Sequence, residues 1–138
     1  GNKATIKGAE INLKYNLNDF FLSYNFSFVN GDNETTNRPL SYMNPTKQIL
    51  TLDYNKEFTN YKLRFSKIHS QNRLGEFETY TPGALLTDFI ITYNYKIHSI
   101  AIQLNNVFDE KYYNHLSRIK NITPEPGKNI HLVYKVLF

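Results

Sequence analysis

The residues able to carry chemistry are few and scattered. Four histidines stand among twelve carboxylates and sixteen Lys and Arg residues, and cysteine is absent. Without thiols there is no disulfide framework, no thiolate metal site and no cysteine nucleophile. His69, His98, His115 and His131 share no metal-ligand spacing. A nucleotide-binding glycine loop, an HExxH pair and a Gly-x-Ser-x-Gly elbow are all missing, so the residues predict neither an enzyme nor a resident metal or cofactor. The formal net charge of +4 is spread along the chain, not gathered into the basic patch that nucleic acid requires. Binding chemistry remains. Lys14, Lys62, Arg64 and Lys135 in strands, with Arg38, Arg73 and Arg118 in loops, can bias an interior toward anionic ligands. The competing reading pairs the strand cations with Glu10, Asp53 and Asp88.

The elements that position these groups follow from the spacing of apolar residues. No apolar run approaches the roughly 20 residues of a spanning helix, which excludes a helical membrane protein. The dominant period is two, the side-chain alternation of a pleated strand. Ala9, Ile11, Leu13, Tyr15 and Leu17 share one face, while Glu10, Asn12, Lys14 and Asn16 share the other. Six further runs repeat the pattern at residues 22–28, 50–54, 61–66, 88–95, 99–105 and 129–138, with Ile90 and Ala101 as apolar exceptions on the polar side. No segment of similar length carries a helical stripe, so the fold class is all-β with seven antiparallel strands.

Connection lengths alternate. Hairpin-length links are predicted at Asn18-Asp19, Asn55 to Asn60 and Lys96 to His98, and long links at residues 30–46, 69–84 and 109–127. The long segments hold all five prolines. In a meander, every second connection lies at the same end, so one end is trimmed and the other carries large loops, as in an outer-membrane barrel. Tyr15, Phe20, Phe21, Tyr54, Phe58, Tyr61, Tyr93, Tyr95 and Tyr134 fall near the short-turn end, where an aromatic belt meets lipid headgroups. Phe77, Tyr80, Phe108, Tyr112 and Tyr113 form a second group toward the long loops. A wet inner face explains how an outer apolar band coexists with a mean hydropathy of -0.51. A soluble β-sandwich or lipid-binding barrel also alternates, but it gives no reason for unequal loops or tyrosines gathered at one end.

The C-terminal part carries motifs that resemble a known family. Residues 104–112, with Asn106, Val107, Phe108, Asp109 and Tyr112, are similar to the Asn-Leu-Phe-Asp-x-x-Tyr signature of TonB-dependent outer-membrane receptors, with Val107 replacing Leu. Pro126, Gly127 and Lys128 resemble that family's Pro-Gly-Arg, and Phe138 resembles the terminal aromatic by which the barrel assembly machinery recognises its clients. Pro45-Thr46-Lys47 and Tyr80-Thr81-Pro82-Gly83 resemble strand starts in these barrels. On physical grounds, Asn106 and Asp109 can satisfy freed backbone groups at a strand end, and Gly127 can adopt positive φ on re-entry into the last strand.

Seven strands are too few, and odd in number, for a single-chain bacterial barrel. The resemblance implies an antiparallel up-and-down transmembrane segment of a barrel of about 22 strands. Residues 1–138 would be its C-terminal portion, starting in an extracellular loop just before strand one, with the signal peptide, plug and N-terminal strands outside the chain. The implied function is import of scarce cargo, a ferric siderophore, haem or a vitamin, across the bacterial outer membrane. Implied partners are outer-membrane lipid, the remaining strands and plug, the TonB energy-coupling complex acting through the plug, the assembly machinery and an iron chelate. Arg38, Tyr42, Arg73, Tyr80, Tyr113, His115 and Arg118 are the candidate ligand contacts, His115 being either a contact to haem or a ferric chelate or an ordinary solvated histidine. A passive porin built from several copies of a short chain is the alternative reading.

Overall fold

The computed structural model describes residues 3–137. Eight strands form one antiparallel sheet: β1 (Ala4–Leu17), β2 (Phe20–Asn33), β3 (Arg38–Pro39), β4 (Lys47–Lys56), β5 (Thr59–Ile68), β6 (Ala84–Tyr95), β7 (His98–Asn105) and β8 (Asn129–Val136). Seven of them run in chain order as a meander, and the two-residue β3 folds back on the upper end of β2. The seven predicted strands are all present. Their ends differ most in β1 and β2, which extend to Ala4 and Asn33 in continuous register. Strand one therefore already occupies the segment predicted to be an extracellular loop.

The three turns at the trimmed end are two residues each: Asn18-Asp19, Glu57-Phe58 and Lys96-Ile97. Asn18, Glu57 and Lys96 have φ of 51°, 49° and 52°, the left-handed conformation that matches a tight turn to strand twist. His98, placed in a turn by its sequence context, is the first residue of β7.

Register arranges the outer face into bands. Leu17 pairs with Phe20, and Phe20 pairs with Tyr54, which lies two residues short of the next turn at Lys56. Thr59 likewise pairs with Tyr93, two residues short of Tyr95. This two-residue stagger per hairpin is the tilt of a barrel wall. Measured from each turn, Tyr15, Tyr54, Tyr61 and Tyr93 all stand two residues up the strand, and Tyr134 pairs with Ile100 at the same level. Phe20 stacks on Tyr54 at 4.6 Å and Tyr54 on Tyr61 at 6.2 Å, joining neighbouring strands within the belt. Phe21 does not belong to it, because it shares the inner face with Asp53 and Lys62.

Four residues from the turns, Leu13, Leu52, Leu63, Ile91 and Ile102 form the middle of the outer band. Eight residues up, Gln48, Lys67 and Thr87 interrupt the apolar surface and mark its upper rim. This polar rim replaces the second aromatic girdle expected from Tyr112 and Tyr113, which line a cleft with inner-face residues instead. No apolar side chain among the described residues is buried, and Leu13, Leu132, Tyr15 and Tyr134 are all exposed. Such a sheet has no apolar core of its own among the described residues and presents its apolar side chains outward. β1 and β8 form the two edges of the sheet.

The inner face is polar and partly self-neutralised. Lys62 Nζ lies 3.4 Å from Asp53, and Arg64 contacts Asp88 at 2.9 Å. Two of the four strand cations therefore pair across strands.

Candidate functional site

The long connections lie together at the upper end of the sheet. Residues 40–46, 69–83 and 106–128 are cross-linked by side chains that reach from one loop to the next. Ser41 donates to the Glu76 carbonyl at 3.2 Å, and Gln71 donates to the Met43 carbonyl at 3.1 Å. Gly75 is pressed so close to Ser41 that a Cβ there would lie 2.5 Å from its backbone nitrogen. Thr79 donates to Asn121 at 3.1 Å.

Glu78 sits at the centre of this assembly. Its carboxylate accepts the Tyr42 and Gly75 amides, each at 2.7 Å, and faces His115 Nε2 at 3.1 Å. On the far side of the ring, His115 Nδ1 meets Thr81 Oγ1 at 2.8 Å and Lys120 Nζ at 3.2 Å. Lys120 also donates to the Thr79 carbonyl at 2.6 Å and to Thr81 Oγ1 at 2.7 Å. Burial pushes the Glu78 carboxyl up, but the Tyr42 and Gly75 amides and His115 outweigh it and leave the carboxyl below its usual range. His115 is lowered, first by burial and then by the Lys120 charge, with Glu78 opposing. Lys120 is lowered by burial, with Glu78 again opposing.

Beneath the loops, a cleft of about 510 Å³ opens on the inner face. Glu10, Ser27 and Lys47 line it from the sheet, and Tyr112, Tyr113 and Glu125 line it from the last loop. The Tyr112 hydroxyl is raised by burial and by the charges of Glu125 and Asp88. Aromatic rings, amides and both signs of charge converge there, which suits a compact polar ligand rather than a lipid.

The motif residues build the exit and re-entry of the last long loop. Asn106, 4% exposed with φ of 48°, takes Glu110 in a two-way clasp: its Nδ2 donates to the Glu110 carbonyl at 2.8 Å, and its Oδ1 accepts the Glu110 amide at 2.9 Å. Asp88 accepts the Asn106 amide at 2.9 Å, and the Val107 amide bonds the Thr87 carbonyl at 2.8 Å. Asp109 accepts the Lys128 amide at 2.8 Å, tying the loop's two ends together. Gly127 is not in the positive-φ region; a Cβ there would meet Asp109 Oδ1 at 2.5 Å. Its role is close approach, not the backbone freedom expected from sequence. Tyr112 lines the cleft, Phe108 is exposed, Pro126 precedes this contact, and Phe138 lies outside the described residues.

The candidate ligand contacts do not form one surface. Tyr113 lines the cleft and also a smaller opening beside Tyr80. Arg118 and Tyr42 border a third opening, which Glu78, His115 and Lys120 also line. Arg38 lies on β3, exposed, and Arg73 is paired with Asp32 at 2.5 Å. His115 contributes a fully buried side chain with both ring nitrogens engaged by loop residues, which differs from the solvated histidine of the alternative reading. Glu78 and Lys120 were not singled out by the sequence, and Thr81 only as part of a strand start; the clue available was that Lys120 shares the last long loop with His115, while Glu78 and Thr81 fall in the long loop before it.

Comparison with known proteins agrees with this architecture. No curated protein matches by sequence. Among solved structures, the copper transporter OprC superposes with a TM-score of 0.92 at 19% identity, covering 98% of this chain and 24% of that one. The chain thus spans about a quarter of the length of that relative. The family model described as TonB dependent receptor-like, beta-barrel, matches residues 2–107, and the chain belongs to that family.

Proposed function

We propose that this chain is part of the wall, on the C-terminal side, of a receptor that imports scarce cargo by active, non-enzymatic transport across the bacterial outer membrane. The observation that carries the proposal is the pairing of an apolar outer face with a polar inner cleft under three cross-linked loops. The open edges of β1 and β8 support a larger barrel, of about 22 strands by family analogy. A plug and the earlier strands would complete it. The plug would receive the pull of the TonB energy-coupling complex, and the C-terminal strand would engage the assembly machinery. Tyr113 in the cleft, with Tyr80, Arg118 and Tyr42 at its neighbouring openings, is the proposed route of cargo contact; Arg38 and exposed Arg73 would act earlier, at the loop surface.

The mixed charge of the cleft favours a small polar chelate over a bare hydrocarbon ligand. A ferric siderophore, haem and a vitamin are the cargo classes to test, with copper added because OprC is a copper transporter by name. The experiment is cargo-limited growth of a strain carrying the full-length receptor, with and without energy coupling. Growth that requires both receptor and coupling supports the proposal. Uptake that persists without coupling identifies a passive channel and overturns it.

A further inference from the structure

We propose that Glu78, His115 and Lys120 form a proton-operated latch, holding residues 69–83 and 106–128 together at neutral pH and releasing them on acidification. The geometry specifies the protonation state. Lys120 Nζ can only donate, and its three acceptors are the Thr79 carbonyl, Thr81 Oγ1 and His115 Nδ1. Nδ1 must therefore be the bare nitrogen, leaving Nε2–H to donate to Glu78. Thr81 completes the set, accepting from Lys120 and donating to Nδ1. Every buried polar side-chain atom among the described residues has a partner, and the three-acceptor pattern around Lys120 is the one that a neutral imidazole completes.

On the imidazole, the added proton can go only to Nδ1. Protonation there removes the acceptor that Thr81 and Lys120 share, and it sets an imidazolium 3.2 Å from an ammonium in a buried site. Among the described residues, Glu78 is the one carboxylate in contact with the ring, and its other bonds to Tyr42 and Gly75 already hold it. Glu10, Glu125 and Lys47 line the cleft with His115 from other elements, and Arg118 shares the third opening. Of these, Lys47 and Arg118 add to the repulsion, while Glu10 and Glu125 oppose it across the cleft.

The sign follows from linkage. A histidine lowered by burial in the closed state favours closure above its ordinary value and loses that contribution as pH falls through it. If the closed form takes up no proton, the ratio of open to closed rises by up to about 30-fold between about pH 8 and pH 5, for an open-state histidine near pKa 6.5. The latch is read from the distance between two loops and not from uptake, so it stands or falls separately from the transport proposal.

The test uses the full-length receptor in lipid nanodiscs, spin-labelled at Asn72→Cys and Ile122→Cys, both exposed positions on the two loops. This chain has no native cysteine to compete. A single narrow distance at about pH 8 should give way to a longer population that grows below about pH 6.5. His115→Gln should lose this response. Lys120→Met should keep the histidine yet weaken the response, because the repelling charge is gone while the burial remains. An unchanged distance distribution in the native receptor overturns the proposal, as does a His115→Gln response equal to the native one.

Discussion

Leu13→Arg places a charge on the lipid side of β1, and its cost can be worked from the sheet. Leu13 stands four residues above the Asn18-Asp19 turn and is 60% exposed on the outer face. At a rise of about 3.4 Å per residue and a tilt near 40°, four residues place it about 10 Å above the turn rim. The apolar band of such a barrel is about 25 Å tall, so Leu13 lies within a few ångström of the midplane. An arginine there should cost about 2 to 4 kcal/mol. Ile102 stands four residues from the Lys96-Ile97 turn and should cost the same, although it pairs with Ile91 and Leu132 in a different part of the sheet. Asn12, one residue away, points to the wet interior, and Asn12→Arg should change stability by less than about 1 kcal/mol. Reversible urea unfolding of the full-length receptor in phospholipid vesicles measures all three. Equal losses at Leu13 and Asn12 would refute the assignment of faces, and a mild Ile102→Arg beside a costly Leu13→Arg would refute the stagger.

Four other substitutions, one of them repeated in an Asp109→Ala background, probe the loop ends and the inner face by the same unfolding measurement. Asn106→Ala removes both bonds to Glu110 at a buried position with positive φ and should cost about 2 to 3 kcal/mol. Gly127→Ala should cost about 1 to 2 kcal/mol by displacing Asp109 from the Lys128 amide. In an Asp109→Ala background, the same change should cost under about 0.5 kcal/mol, and a full cost there would show that the clash is not with Asp109. Asp53→Asn, which loosens a partly exposed pair with Lys62, should cost below about 1 kcal/mol. Asp88→Ala should cost about 1.5 to 3 kcal/mol, because it also strands the Asn106 amide; the reverse order would contradict the network described.

The lower two-thirds of the wall was legible in the chain because lipid and water impose opposite demands on alternate residues. Tyr15, Leu13 and Ile11 must be apolar where Lys14 and Asn12 must not, and a period of two records that directly. Above the rim both faces are wet, so the alternation stops while the backbone ladder continues. That is why the upper parts of β1 and β2, near Lys7 and Asn30, carry no strand signature. The site was less legible. Glu78 meets His115 across 37 residues of chain, and Lys120 meets Thr81 across 39. No local pattern encodes a contact of that separation. The motif around Asn106 was readable as a loop closure, but its partner Asp88 was not, since it lies on the preceding strand.

Sequence alone determined the fold class, the seven crossing strands, their facing and the end that carries the loops, because each depends on a residue's own contact with lipid, water or a tight turn. Tertiary structure decided what depends on register and on distant chain. The two-residue stagger aligned tyrosines from separate strands into one belt, turned Phe21 inward and paired Lys62 with Asp53. Loop docking buried His115 between a carboxylate and an ammonium and left Tyr113 at the cleft. A residue's type can state which solvent it prefers, but only the folded chain states which charges stand beside it.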